Sequence, residues 1–591
     1  MDINPSAIVG IGLIGAVTFY LGFHSSRLAN TTPDFLVARR IVRSRRNAAA
    51  IAGEYLSAAS FLGVAGLILK DGVDSLWYAV GFTAGYLALL LFVAAPLRRS
   101  GAYTLPDFAE ARLGSAGLRK LCTVFVVVIS VLYLVPQLQG AGLTLSTVLP
   151  VPPWVGMAVV IALVMVNVFG GGMRSITVVQ AFQYWVKLVA IAAPTFALVV
   201  VFAGGHPVQG RLGVDASPQF AHRMTIKVPV TVELQVDRKV LVHQQGTVNG
   251  DTVNGPLLMD PGLEYTVAAH TTLVFPAGSP VPTPSGSPLT NADWLRPQSG
   301  GVSSLFATYS LIMALFLGTM GLPHVLVRFY TNPNGRAARR TTLHVLLLLG
   351  LFYLFPTILG ALSRLYTPEL LVTGQTDAAI LLLPEKLVPG MGGQVLGAVI
   401  VAGAFAAFLS TSSGLLVSIA GVVSTEGFAG RVRDFRVATV IAALVPFALA
   451  FALPEADISL SVGLSFALAA STFCPVLVIG IWWRRLTWVG AAAGMVVGGG
   501  LVLVALALNI ISEYTGSWAP WPVVQPALIT VPAAFAAVFL GSLCTPSRIP
   551  EDVNRILLRL HAPDPLGFIK DRDVARFGGQ TGRHSDGRHA R

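Results

Sequence analysis

The chain has 591 residues, of which 54% are hydrophobic and only 12% charged, and it carries a formal net charge of +12. A soluble domain averages about 25% charged residues, so the composition excludes an ordinary soluble protein and implies many membrane spans. The positive excess does not indicate a nucleic-acid partner, because the basic residues collect in loops between apolar segments.

A spanning helix needs about 20 mostly apolar residues. Thirteen segments qualify: 6–24, 48–70, 76–97, 121–147, 153–172, 176–203, 303–322, 341–363, 393–422, 435–453, 458–482, 488–511 and 524–544. Asp2, with no basic residue before the first apolar run, argues against a secretory signal. Cys122, Cys474 and Cys544 have neither metal spacing nor a disulfide framework.

Loops rich in arginine alternate with poorly charged ones. The basic loops hold Arg27, Arg39, Arg40, Arg43, Arg45 and Arg46; Arg98, Arg99, Arg112, Arg119 and Lys120; Arg328, Arg336, Arg339 and Arg340; Arg431, Arg433 and Arg436; and Arg484 and Arg485. The positive-inside bias places these loops in the cytoplasm, the N-terminus outside and the C-terminus inside a plasma membrane. Two segments stand apart. Residues 204–302 form an external insert in which 225–242, and in part 263–275, alternate as strands do; a small β-rich cap, or a partly ordered excursion, is expected. The tail, 545–591, is polar and basic, with an amphipathic helix around 551–561 and disorder expected near 578–591.

Two spans read as broken. The second carries Gly53, Ser57, Ser60, Gly63 and Gly66 around Glu54, and the seventh ends with Gly318, Gly321 and Pro323. Small residues also serve close helix packing. Here, however, the breaks fall in the first helix of each of two five-helix groups, and interrupted segments at matching positions point to an inverted-repeat transporter. In "AAFLSTSSG" (406–414) the spacing of Ala407, Ser410 and Thr411 puts them on one helix face. Two hydroxyls and a carbonyl, set opposite carbonyls freed in the second helix, make an oxygen cage of the kind hard cations take. The plain alternative is hydroxyls bonded back to their own helix.

Charge inside spans is costly and usually functional. Glu54 would bind a cation, relay a proton or satisfy broken backbone. Lys187 would pair with an acid, counter a substrate carboxylate or snorkel to the interface. His324 would cap or sit at an interface. Tyr55, Phe61, Tyr133 and Phe408 would line a small pocket or simply pack.

Five stretches resemble the sodium:solute symporter family, closest to its cation/acetate symporters: "GEYLSAASFLG" (53–63), "YLVPQLQGAG" (133–142), "FGGGMRSITVVQ" (169–180), "GTMGLPHVLVRFYT" (318–331) and "GLSFALAASTFCPVLVIGIWW" (463–483). The resemblance spans roughly 45–510. It implies an all-α membrane protein with a LeuT-type core of ten helices. One helix and basic loop (1–47) precede the two repeats (48–203 and 303–482), and two helices (483–544) and the tail follow. It implies sodium at Gly53, Leu56, Ala407, Ser410 and Thr411, and substrate beside Tyr55, Ser57, Gln137, Gly318, Thr319 and Gly321. Some acetate-type members have small apolar residues in place of Ser410 and Thr411 and a lysine near Gln183. Here the hydroxyls are present and the lysine is Lys187, which leans the coupling ion toward Na⁺.

The expected function is secondary active symport. Na⁺ entry, or else H⁺, would drive uptake of acetate, propionate or a pyruvate-like monocarboxylate, with sodium binding stabilising the outward-open state. Glu54 and Lys187 are the coupling candidates. A symporter for an amino acid such as proline, or a solute sensor, is the alternative. No enzyme chemistry, cofactor, nucleic acid or obligatory protein partner is expected; the partners are substrate, cation and lipid.

Overall fold

The computed structural model describes residues 5–26, 42–204, 217–297, 301–427, 432–453, 457–515 and 518–564. Arg27, Arg39, Arg40, Arg431 and the end of the tail lie outside them. The helices of the first half are α1 (Pro5–Ser26), α2 (Ser44–Tyr55), α3 (Val64–Asp71), α4 (Leu76–Phe92), α5 (Ala94–Arg99), α6 (Leu105–Leu113), α7 (Ala116–Val148) and α8 (Pro153–Ala203). After the insert, which ends in the short α9 (Asn291–Leu295), come α10 (Gly301–Thr319), α11 (Pro323–Val327), α12 (Gly335–Tyr366), α13 (Glu369–Thr373), α14 (Ala379–Leu387), α15 (Met391–Glu426), α16 (Val432–Ala452) and α17 (Ile458–Trp482). The chain closes with α18 (Trp488–Thr515), α19 (Trp521–Val524), α20 (Ala527–Leu543) and α21 (Val553–His561).

Among the described residues, ten helices are long and apolar enough to cross a membrane, with shorter apolar helices at Pro153–Phe169 and Ala527–Leu543. Peripheral helices keep large apolar side chains exposed, such as Val9 and Leu13 of α1, Phe196 and Val200 of α8, and Leu347 and Leu354 of α12. In water such surfaces would be a liability; against lipid they are the expected face. By contrast α15 and α17 are buried along most of their length. They pack on α8 and α7, and on α7 and α10, respectively.

The 51 residues of α8 would reach roughly 75 Å if straight. They do not run straight. Leu163 lies beside Gly15 and Asn167 beside Gly22, yet Ser175 donates to the Gly22 carbonyl at 2.9 Å and Gln183 donates to Thr18 at 3.2 Å. Residues before and after 170–174 thus meet the same end of α1, so α8 doubles back there.

The insert folds into seven antiparallel strands: β1 (Met224–Lys227), β2 (Val232–Gln235), β3 (Val240–Val248), β4 (Asp251–Met259), β5 (Tyr265–Val267), β6 (Thr272–Phe275) and β7 (Thr283–Pro284). The expected alternating run 225–242 is therefore cut into two short strands and the start of a third. The β3–β4 hairpin turns at Asn249 and Gly250, both with positive φ (52° and 88°), the conformation that an Asn-Gly turn supplies. Its core is shared with the helical body. Leu234, Val267 and Phe275 pack in one cluster with Leu69 of α3 and Leu370, Leu371 and Val372 of α13. Polar ties also fix it to α3: Trp294 donates to the Ile68 carbonyl at 2.7 Å and Ser287 to Asp71 at 2.9 Å.

Candidate functional site

Both expected breaks are present. Regular α-helix stops at Tyr55, Leu56 leaves the helical region (ψ 86°), and a π-turn at Ala59–Gly63 leads into α3. In the second break α10 ends at Thr319 and α11 starts at Pro323, whose missing N–H suits a first helical turn. Gly318 and Gly321 sit where a side chain would strike the backbone of Phe466 and Ala469. Their smallness lets the break lie directly on α17.

A broken helix frees backbone groups that must find partners, and side chains from three other helices supply them. Gln137 of α7 accepts from the Ala58 N–H at 2.8 Å. Thr411 of α15 donates to the Glu54 carbonyl at 2.6 Å. Ser410 donates to the Gly53 carbonyl at 2.7 Å, with the Ala407 carbonyl at 3.1 Å as its other acceptor. Four residues of the expected sodium position, Gly53, Ala407, Ser410 and Thr411, are thus brought together, and Leu56 joins them through Lys187.

The centre of that position holds Lys187. Its Nζ donates to the Gly53 carbonyl, to the Leu56 carbonyl at 2.8 Å and to Ser410 Oγ at 2.8 Å. The two carbonyls only accept, and Ser410 spends its own hydrogen on a carbonyl, so three N–H groups are needed. An ammonium has three. Lys187 is fully buried, which rules out snorkelling. A second monovalent cation about 3 Å away would meet a repulsion of about 5 kcal/mol, even at an effective dielectric near 20.

Glu54 is not a free carboxylate either. Arg328 Nε lies 2.6 Å from Glu54 Oε2. The same guanidinium donates to Thr177 at 2.8 Å and to the Gln180 side-chain oxygen, and Gln180 in turn donates to the Ser410 carbonyl at 2.7 Å. Asn47 donates to the Arg328 carbonyl at 3.1 Å. Arg328 is fully buried and does not belong to the basic loop to which its sequence position assigned it. Arg98 and Arg112, also taken as loop charges, are buried and donate to backbone carbonyls: Arg98 to Asn332 and Pro333, Arg112 to Gly480 and Trp483.

The expected substrate residues fall on one aromatic cluster beside the break. The Tyr55 hydroxyl bonds the Phe82 carbonyl at 3.0 Å and Thr319 Oγ1 at 2.8 Å. Its ring meets Tyr86 (4.8 Å) and Phe466 (6.0 Å); Tyr133 meets Phe466 (5.8 Å) and His324 (5.2 Å). Ser57 lies against the Tyr133 hydroxyl. Phe61 and Phe408 stand apart from this cluster, packing on Phe352 and Phe405. Around the cluster, the Tyr86 hydroxyl, Gln137 Nε2 and both His324 ring nitrogens are buried without a hydrogen-bond partner among the described residues. Tyr86 is a residue that sequence reasoning did not select, because an apolar "GYLAL" context gives it no signal; His324, read there as a capping or interface residue, instead meets the Tyr133 ring.

A larger cavity, about 370 Å³, lies between α7, α17 and α18, lined by Leu132, Pro136, Leu464 and Leu506. It touches neither break. On the insert side of the break a space of about 70 Å³ is lined by Gln139, Val230, Gly374, Asp377 and Asp457. On the opposite side one of about 20 Å³ is lined by Thr104, Pro323, Val417 and Gly421.

Comparison with known proteins agrees with this architecture. The solved structure of a substrate-bound, outward-open Na⁺-coupled sialic acid symporter superposes with a TM-score of 0.58 at 13% identity, covering 92% of this chain and 98% of that one. The monocarboxylic acid transporter of Corynebacterium glutamicum is 28% identical over 556 residues, 89% of each chain. An uncharacterised symporter of Cupriavidus necator is 30% identical over 612 residues, 88% of each. Residues 35–236 and 283–498 match the sodium:solute symporter family; the chain belongs to that family.

Proposed function

We propose that this chain is a secondary active symporter that carries a small monocarboxylate, such as acetate, propionate or pyruvate, by alternating access. The family implies Na⁺ as the coupling ion, and its Corynebacterium relative is named for monocarboxylic acids. In this reading thirteen spans, with two inverted five-helix repeats, sit in the plasma membrane with the N-terminus outside and the insert on the outer face. The two breaks are where the repeats move against each other.

The observation that carries the substrate class is the set of buried, unpartnered groups at the aromatic cluster: the Tyr86 hydroxyl, Gln137 Nε2 and the His324 ring. Leaving a buried polar group unpaired costs about 1–3 kcal/mol, so several around the first break and its aromatic cluster argue for a ligand that completes them. A carboxylate accepts from each. Charge agrees: Glu54, Arg328 and Lys187 together carry one net positive charge at the break, and one carboxylate balances it. Tyr55, Ser57 and Thr319 shape the pocket wall, and the glycines 318 and 321 bring α17 close.

Counterflow in proteoliposomes tests the reading. Vesicles loaded with unlabelled acetate should accumulate labelled acetate transiently, and external propionate or pyruvate should compete while proline does not. Proline counterflow with no acetate exchange would replace the monocarboxylate by an amino acid.

A further inference from the structure

The geometry assigns the cation position between the first break and α15 to the Lys187 ammonium: the chain supplies its own cation there, and Na⁺ does not bind at that place while Lys187 is present. Three observations carry this. Lys187 Nζ uses all three of its donors on the oxygens that would otherwise face a metal ion, namely the Gly53 carbonyl, the Leu56 carbonyl and Ser410 Oγ. The remaining oxygens of the expected cage are also engaged. Thr411 donates to the Glu54 carbonyl, and the Ala407 carbonyl faces Ser410. The lysine is not a stray surface group folded inward, because it lies fully buried on α8, which packs along both α2 and α15.

The surroundings suit one resident cation. Glu54 on α2 is the ionisable group whose charge acts on Lys187, and its carboxylate is already paired with Arg328. Among the described residues no further acid acts on Lys187, so a bound Na⁺ would add a positive charge that the Glu54–Arg328 pair does not balance. A covalently tethered cation fixes the freed carbonyls of the break as a bound ion would, with no dissociation. The sodium reading of Ser410 and Thr411 and the tethered-lysine reading use the same oxygens, and they exclude each other at this position.

The functional readout rests on the symporter reading, so the experiment separates the two. The purified full-length protein is reconstituted, and acetate counterflow is followed at zero membrane potential in choline and in sodium media. In parallel, ²²Na⁺ binding to the detergent-solubilised protein is measured directly. The expected result is that any ²²Na⁺ binding the wild type shows is not lost on Ser410→Ala. Lys187→Ala should then lose transport in choline and regain it with Na⁺, by a factor in the 5- to 150-fold range typical of coupled sites. Sodium stimulation that Ser410→Ala leaves intact puts Na⁺ elsewhere and supports the assignment. Wild-type ²²Na⁺ binding that Ser410→Ala abolishes overturns it. If no carboxylate exchanges at all, the substrate reading fails, and the ²²Na⁺ arm still decides the place of Lys187.

Discussion

The Arg328 guanidinium, in the turn that follows the second break, reaches the Glu54 carboxylate of the first, Nε to Oε2 at 2.6 Å, with both side chains sealed from solvent. The pair joins the two interrupted helices directly. Removing one partner of a buried pair leaves an uncompensated charge and typically costs about 3–5 kcal/mol. Arg328→Gln and Glu54→Gln should each lower stability in detergent by that order. The double variant should be less destabilised than the sum of the two. Strict additivity in such a cycle would show that the two groups do not act as a pair.

Tyr86 separates binding from folding. Its hydroxyl is buried and has no hydrogen-bond partner among the described residues, so Tyr86→Phe removes an unpaired polar group and leaves the ring against Tyr55. Stability should be unchanged or higher. If the hydroxyl receives the substrate carboxylate, KM for acetate should rise by about tenfold, the factor that about 1.4 kcal/mol represents. An unchanged KM would remove Tyr86 from the pocket.

Much of this site was legible in the sequence. Gly53 to Gly66 and Gly318 to Pro323 marked both interruptions because glycine, serine and proline are conspicuous in an apolar run. The Ala407, Ser410 and Thr411 spacing marked a polar face that does meet the first break. What filled the cage was not legible. Lys187 follows Ser410 and Gly53 only through three-dimensional packing, and its reach across helices has no periodic signature. Arg328 was misplaced because positive-inside reasoning treats any arginine near a span end as a loop charge, whereas this one turns inward to an acid 274 positions away. The short helices α13 and α14 were hidden for a different reason. Gly374 and Pro384 interrupt an apolar stretch too short to span, and their order comes from packing against the insert and α15.

Asp377 gives the insert side of the protein a pH dependence. It lies between α13 and α14, accepts from the Ile458 N–H at 2.9 Å and is nearly buried. Burial and the nearby Asp457 charge push its carboxyl up to about 7, against about 3.9 for an unperturbed aspartate. A raised carboxyl favours the protonated folded state. Its contribution to stability is therefore complete below about pH 3.9 and is lost as pH rises through about 7. Hydrogen exchange in segment 370–382 should accelerate across that window, and Asp377→Asn should flatten the profile. A wild-type profile that is already flat would mean that the carboxyl titrates normally.

The insert is held to the body by two kinds of contact, and they should behave differently during transport. An apolar cluster binds its sheet to Leu370, Leu371 and Val372 of α13, and burying such side chains contributes about 1.5–3 kcal/mol each. Its ties to α3 are polar and local: Ser287 to Asp71 and Trp294 to the Ile68 carbonyl. In the proposed repeats α3 and α13 belong to opposite halves. Alternating access would then stretch one contact, and the polar one is weaker. Cysteines at Ser287 and Asp71, in a background with exposed Cys544 replaced by serine, should form a disulfide on mild oxidation. Acetate counterflow should stop on oxidation and return on reduction. Full transport with the bond closed would show instead that insert and α3 move as one body, and the hinge would then have to lie at the apolar contact with α13.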